Sequence, residues 1–423
     1  MPSADLVVRH ARLLMTPVGP APKRGAAQQD VRAIADAALA SRDGRLIFVG
    51  PDEACAREVS LEPGARVLDA SGHTVVPGFV DPHTHAVFAG DRREELRRRL
   101  AGATYAEIAA EGGGIVKTVR ATREASEEDL ATQTRARLDE MLRAGTTTAE
   151  VKSGYGLSTD AELKLLRVVR RLQREQPVEL VPTFMGAHEI PVEYREHRRA
   201  YIDLLVRDMI PKVAADGLAS WCDVFCETGV YTPEESAEIL GAGKAAGLRP
   251  RIHADELARS GGSQVAAAIG ARSADHLLFV EQADAEAMAA AGVVATLLPI
   301  AAFYLKLGRF APARLLIAAG VAVALATDLN PGGGFSPSMP FAMTLACFGM
   351  RLTFEEALTA ATLNAAYALD LHEQIGSLEV GKQADVVLVR GEPVDLLRPG
   401  AAVIATVIKR GRVVFSQPSV SQS

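Results

Sequence analysis

No stretch of the sequence is apolar for long enough to cross a bilayer: the most hydrophobic run, 293–300, is far shorter than the ~20 residues a membrane helix needs, and Pro299 interrupts it. Cysteine is scarce. Cys55, Cys222, Cys226 and Cys347 show no C-x-x-C pairing of the kind a structural zinc site uses, and a chain this long needs no disulfide framework. Cys222 and Cys226 are expected as buried thiols in a strand. Basic residues are not in excess, since 46 Lys and Arg against 52 Asp and Glu leave a formal net charge of -6. That leaves no positive field to hold a phosphate backbone, so nucleic acid is not an expected partner. The segment from Met1 to Met15 lacks the charged and then apolar regions of a secretory signal, which predicts a cytoplasmic protein.

What remains is an ordinary globular composition, 48% hydrophobic and 23% charged, in a chain of 423 residues. That length suits one large barrel with a small satellite. The satellite draws on both ends of the chain. Segments 5–15, 37–49 (around the turn Arg42-Asp43-Gly44-Arg45) and 65–76 read as strands, with a proline-rich loop from Pro17 to Lys23. Segments 376–389 and 402–415 repeat the pattern, with Arg410-Gly411-Arg412 as a tight turn. A composite β-sandwich domain is therefore expected from 1–75 and 376–423.

Between them, 76–375 alternates short β-branched runs with helical patterns, the rhythm of β/α units. Strands are predicted at 76–80, 146–151, 179–184, 221–225, 249–252, 273–278, 293–298 and 321–326. Eight such strands close a (β/α)8 TIM barrel. Helices are predicted at 127–143, 161–174, 198–215, 233–246 and 263–268, with Pro233 in the first turn after Thr232. The long insertion 86–122, which contains Gly112-Gly113-Gly114, lies where barrels place their binding loops.

Asp81-Pro82-His83-Thr84-His85 carries the strongest chemical signal. Two histidines one residue apart on an extended strand face the same side, here the barrel interior, where they suit a shared metal. His253 ends the predicted fifth strand, His276 lies in the sixth and Asp328 ends the eighth. Side chains at the carboxyl ends of barrel strands converge on one mouth, so residues far apart in sequence can surround one ion. Imidazoles plus a carboxylate suit zinc, and iron or manganese would accept the same set. Such an ion brings the pKa of a bound water to about 7 and polarises a carbonyl under attack. Asp328 could then take the water proton, and Glu256 could pass it to a leaving nitrogen. His276 would act as an electrophilic or supporting imidazole. Two plainer roles stay open: Glu256 as a cap for the following helix, and His276 as a holder of a backbone carbonyl.

Further motifs run over essentially the whole chain: Glu150-Val151-Lys152-Ser153-Gly154-Tyr155-Gly156-Leu157, Phe184-Met185-Gly186-Ala187-His188-Glu189, His253-Ala254-Asp255-Glu256, Ala274-Asp275-His276-Leu277 and Thr327-Asp328-Leu329-Asn330-Pro331-Gly332. With the histidine pair, they make the chain resemble the amidohydrolase superfamily and, within it, the imidazolonepropionase family of histidine degradation. The resemblance implies one divalent or trivalent metal ion, zinc or iron, held by His83, His85, His253 and Asp328. It implies hydrolysis of the cyclic amide of 4-imidazolone-5-propanoate, a small molecule, to N-formimidoyl-L-glutamate. It also implies substrate contacts from Arg92, Tyr155, His188, Glu256, Asn330, Gly332 and Gly333, and a homodimer. An arginine suits the propionate, with Arg93 as the rival of Arg92. Tyr155 and His188 suit hydrogen bonds to the ring and carbonyl.

One departure falls after Asn330-Pro331-Gly332, where the family commonly has a hydroxyl residue and this chain has Gly333-Gly334. Ser336 or a backbone N–H is expected to replace that contact. The fourth strand runs into Cys226 and Glu227 without the lysine that bridges two metals in some relatives, which favours a mononuclear site. Lys152 is expected as an ion-pair partner or loop anchor, and Glu227 as at most a second-metal ligand. Rival readings are a deaminase or hydrolase of another ring (guanine, cytosine, hydantoin) and a silent barrel used as an interaction module.

Overall fold

The computed structural model describes residues 1–103, 107 and 112–417. Parts of the 86–122 insertion and of the 376–423 segment therefore lie outside the described residues. Five strands open the chain: β1 (Ser3–Pro17), β2 (Val31–Arg42), β3 (Arg45–Pro51), β4 (Ser60–Asp69) and β5 (His73–Pro77). The barrel strands follow: β6 (Phe79–Asp81), β7 (Thr146–Lys152), β8 (Glu179–Ala187), β9 (Trp221–Cys226), β10 (Arg249–Pro250), β11 (Ile252–Ala254), β12 (Ser273–His276), β13 (Val294–Leu297) and β14 (Val323–Leu325). β15 (Val386–Arg390), β16 (Ile404–Lys409) and β17 (Arg412–Ser416) then return to the first sheet.

The terminal strands form one hydrogen-bonded sheet in the order β17-β16-β15-β5-β1-β2-β3, with β4 also on β1. Its hairpins follow from turn chemistry. Asp43-Gly44 joins β2 to β3 with φ of 52° and 77°, and Arg410-Gly411 joins β16 to β17 with φ of 48° and 70°. Two consecutive positive φ values match the right-handed twist of the flanking strands. Leu6, Val8, Leu14, Leu39, Val75, Val386, Leu388 and Ile408 pack into its core.

The expected first barrel strand, 76–80, is divided. Val76 and Pro77 pair with Val387 and Val386 in the terminal sheet, whereas Phe79 to Asp81 pair with β7 in the barrel. Gly78 makes the crossing because a Cβ there would collide with the Thr147 side chain. The expected fifth strand is also interrupted, at Arg251. Its fully buried guanidinium donates to the carbonyls of Pro82, at 2.8 Å, and Ala368, at 3.0 Å.

All neighbouring barrel strands are parallel, in the order β6-β7-β8-β9-β11-β12-β13-β14, with β10 beside β9. The seam between the last strand and the first closes just beyond both. Asp328 N–H donates to the His83 carbonyl at 3.1 Å, and His85 N–H donates to the Leu329 carbonyl at 2.9 Å. Asp81 adds a side-chain clasp, accepting from Thr327 N–H at 3.1 Å and from the Thr327 hydroxyl at 2.5 Å. The expected outer helices are present. Thr232 caps Pro233–Ala245 in a reciprocal box with Glu235, with Pro233 in the first turn. The helix expected at 198–215 contains a π turn at Leu205–Met209, next to Pro211, which has no N–H to continue the α ladder. Among the described residues no helix is long and apolar enough to cross a membrane.

Lys409 fastens the terminal sheet to the barrel. Its buried ammonium donates to Asp385 at 2.7 Å within that sheet region and to Glu179 of β8 at 2.9 Å. Removing one partner of a buried pair leaves an uncompensated charge. Lys409→Met is therefore expected to destabilise the protein by about 3–5 kcal/mol in urea denaturation. An unchanged midpoint would show that the two units do not depend on this contact.

Candidate active site

His83 and His85 follow β6, His253 lies in β11, His276 ends β12 and Asp328 follows β14, so five strand-end side chains meet at one mouth. His276 and Asp328 have φ of 77° and 52°, so the chain turns sharply at both while their side chains stay over the barrel. His83 Nδ1 lies 2.7 Å from Asp275 Oδ2, and His253 Nδ1 lies 3.0 Å from Asp223 Oδ1. Because a carboxylate only accepts, both Nδ1 atoms carry the proton and both Nε2 lone pairs face the mouth.

Those inward atoms crowd one another. His253 Nε2 lies 3.3 Å from His85 Nε2, and Asp328 Oδ1 lies 3.7 Å from the Nε2 atoms of both His83 and His85. His83 Nε2 and Asp328 Oδ1 are buried without a hydrogen-bond partner. Ligand atoms about 3.3 Å apart are what a tetrahedral sphere with ~2.0–2.1 Å bonds requires. The donor set thus fits a small cation bound by imidazole and carboxylate. Two overlapping groups meet the geometry for a metal, His83 with His85 and His253, and His83 with His276 and Asp328; sharing His83, they describe one centre.

Burial sets the charges around it. Asp328 is pushed up to about 7 by burial. Glu256 is pushed well above the usual carboxylate range, by burial first and then by the charges of Asp328 and Glu227. Burial holds the His83, His85 and His276 imidazoles well below their ordinary value, and brings His188 down to about 3. These four histidines are therefore neutral, the state in which an imidazole can bind a metal.

A cavity of about 420 Å³ opens over this centre. Its lining includes every expected substrate residue: Arg92, Tyr155, His188, Glu256, Asn330, Gly332 and Gly333. His188 stacks on His85 with centroids 4.8 Å apart, and its Nδ1 donates to the Gly154 carbonyl at 3.0 Å. Its Nε2 is consequently an acceptor. Glu162 accepts the N–H groups of Gly154, Gly156 and Leu157 at 2.9, 2.7 and 2.8 Å, which pins the turn that carries Tyr155.

Arg92 is buried and ties Nε to Glu95 at 2.8 Å, and Glu95 also takes the Gly114 N–H at 3.0 Å. Its guanidinium lies over Gly332, where any Cβ would collide with it. Arg93 points away: its side chain is 81% exposed and pairs with Asp91, which removes it as the cavity's guanidinium.

Several expectations change at the rim. The Asn330 side chain serves its own loop, accepting Gly332 N–H at 2.8 Å and Gly333 N–H at 2.7 Å and donating to the Asp328 carbonyl at 2.8 Å. Ser336 lines a different cleft and accepts Ser338 N–H at 3.4 Å, and the Gly333 N–H is given to Asn330. Among the described residues Glu256 caps no helix; its neighbour Asp255 accepts the N–H groups of Ser260, Gly261 and Ser263 at the start of the next helix. Glu227 accepts the N–H groups of Glu256 and Leu257 at 3.0 and 2.8 Å and belongs to neither metal-competent group. His276 Nδ1 lies 3.5 Å from Glu256 Oε1.

Arg99, Phe225, Leu305 and Lys306 also line the cavity and were not anticipated. Arg99 had a usable signal. Arg92, Glu95 and Arg99 follow helical i, i+3, i+7 spacing along Arg93–Leu100 and its N-cap, so they share a buried face, and Arg99 donates to the Gly332 carbonyl at 2.6 Å.

A proton and a cation compete for Asp328. Below pH about 7, where Asp328 holds its proton, metal affinity is expected to fall by up to about tenfold per pH unit. Chelator competition across that range measures it, and a pH-independent affinity would remove Asp328 from the ligand set.

The sequence profile of the amidohydrolase family matches residues 101–415. The chain is 50% identical to an imidazolonepropionase of Symbiobacterium thermophilum, over 99% of each chain. It is 48% identical to an imidazolonepropionase of Geobacillus thermodenitrificans, over 98% of this chain and 99% of that one. A solved adenosine deaminase from Xanthomonas campestris, with bound zinc, shares the fold with a TM-score of 0.72 at 19% identity, over 98% of this chain and 94% of that one. This chain belongs to the amidohydrolase family and, within it, to the imidazolonepropionases.

Proposed function

We propose that the protein hydrolyses the cyclic amide C–N bond of 4-imidazolone-5-propanoate to N-formimidoyl-L-glutamate, with one zinc or iron ion held by His83, His85, His253 and Asp328. The observation that carries this reading is one cavity that joins His85, His253 and Asp328 to a buried guanidinium, Arg92, held ready by Glu95. Three imidazole nitrogens and a carboxylate favour a borderline metal such as zinc or iron. When bound, the ion supplies a water acidic enough to ionise near neutral pH and a polarised amide carbonyl.

The chain's own groups do the rest. Arg92 pairs with the propionate and sets the ring's direction. Tyr155 and His188 flank the ring, and the His188 Nε2 lone pair can accept a ring N–H. With the ion bound, Asp328 would stand as a carboxylate and take a proton from the attacking water. Glu256, kept protonated by burial, gives a proton to the departing ring nitrogen. The neutral His276 beside it steadies the carbonyl oxygen as charge develops. Asn330 and Gly332 act here chiefly by shaping the loop under Arg92, and Gly333 by leaving room beside Leu305.

We also divide the chain into a composite sheet domain (1–75 and 376–423) and a barrel (76–375), and place it in the cytoplasm as a homodimer. Free thiols at all four cysteines suit a reducing compartment. Phe303 and Phe348, 49% and 79% exposed, offer apolar surface for a second copy.

Metal-loaded protein should remove the ultraviolet absorbance of freshly generated imidazolonepropionate faster than buffer; decay at the buffer rate would sink the assignment. Asp328→Ala should abolish turnover. Loss of the Arg92 contact, worth about 1.5–3 kcal/mol, should raise KM roughly ten- to hundredfold in Arg92→Ala with a smaller change in kcat, while Arg93→Ala should leave both unchanged. Gly332→Ala should mimic Arg92→Ala by displacing the guanidinium. A normal KM in Arg92→Ala would assign the carboxylate to another residue.

A further inference from the structure

Beneath the mouth lies a second, fully buried layer of charge that touches no part of the cavity. Glu150 and Lys152 stand two apart on β7 and so face the same side, the barrel interior. Lys152 Nζ donates to Glu150 Oε1 at 2.8 Å and, across the barrel, to Asp223 Oδ2 of β9 at 2.7 Å. The other oxygen of Asp223 holds His253 Nδ1 at 3.0 Å. Asp275, which holds His83, is 3.9 Å from Lys152 but 3.4 Å from the Arg251 guanidinium. Two cations thus divide the work, with Lys152 on the Asp223–His253 side and Arg251 on the Asp275–His83 side.

We propose that Lys152 is a positioning residue for the metal centre: it fixes the Asp223 carboxylate, and through it the rotation of the His253 ring and the aim of Nε2. The geometry leaves Asp223 little choice. One carboxylate oxygen is committed to the lysine and the other to the histidine, so the plane of the carboxylate, and with it the imidazole, is set from below. Without the ammonium, Asp223 and Glu150 would face each other as buried carboxylates, and Asp223 would rotate away from His253. Lys152 cannot itself be a ligand, because its ammonium is surrounded by Glu150, Asp223 and Asp275. A purely structural ion pair would hold β7 to β9 but would not govern how tightly the mouth binds a cation.

The inference rests on His253 being a metal ligand, and zinc affinity tests the two separately from turnover. Chelator-stripped wild type, Lys152→Met, Asp223→Asn and the double variant would be titrated with zinc against a chromophoric chelator. Disturbing the partner of a ligating histidine typically costs about 10- to 100-fold in metal affinity. Each single variant should lose that much, and the double variant should bind about as weakly as Asp223→Asn alone, because both changes act through one carboxylate. Unchanged zinc affinity in Lys152→Met, or losses that add in the double variant, would overturn the role. Wild type that binds no zinc would instead overturn the ligand assignment. Should Lys152→Met fail to fold, nitrogen-15 NMR of lysine-labelled wild type probes the same link. A buried ammonium resonance that shifts on zinc addition supports the proposal, and one indifferent to zinc overturns it.

Discussion

The barrel is closed by the backbone of the residues proposed to hold its metal. The bonds from Asp328 N–H to His83 and from His85 N–H to Leu329 are the seam between the last strand and the first, and Asp81 clasps Thr327 directly below. Folding of the barrel and assembly of the site are consequently one event. The backbones of His83, His85 and Asp328 cannot drift apart unless the barrel opens, so their donor atoms are gathered where β6 and β14 end. A protein built this way presents its donors already gathered, which limits the reorganisation that binding must drive.

A division of charge follows from that closure. The upper layer, around the cavity, is held by burial in neutral forms: Glu256 protonated and His188 and His276 uncharged. The lower layer is ionic, and Asp223 sits well below the ordinary carboxylate range; burial opposes this, but Lys152 and His253 outweigh it. Neutral groups suit proton exchange with a substrate, and charged ones suit rigid support. The imidazoles lie at the boundary and take orientation from below and chemistry from above.

Much of this was legible in the sequence because it follows from period. The single-residue spacing of His83 and His85, the paired turn residues Asp43-Gly44 and Arg410-Gly411, and Pro233 in the first turn after Thr232 each specify a local geometry that the fold keeps. What escaped was set by contacts across the chain. The division of 76–80 depends on a side chain, Thr147, that sequence order does not place beside Gly78. Arg92 and Arg93 are chemically equal until helix phase buries one and exposes the other. Asn330 lines the cavity, and the bonds of its short amide to its own backbone, the usual habit of asparagine in a turn, could not be placed from sequence order.

The Glu162 carboxylate reaches back from the helix Thr159–Leu172 to three backbone N–H groups around Tyr155, and the Gly154 carbonyl in that same turn anchors His188. The turn pinned by Glu162 therefore carries Tyr155 and, through one ring hydrogen bond, steers His188. They are mechanically in series, so a displacement of that helix translates tyrosine and histidine together instead of prising them apart. Their mutual contact, with ring centroids 5.2 Å apart, is kept while its distance from the metal-competent groups becomes the adjustable dimension. Substitutions on the outer face of this helix, far from any substrate, would then change reach without changing grip.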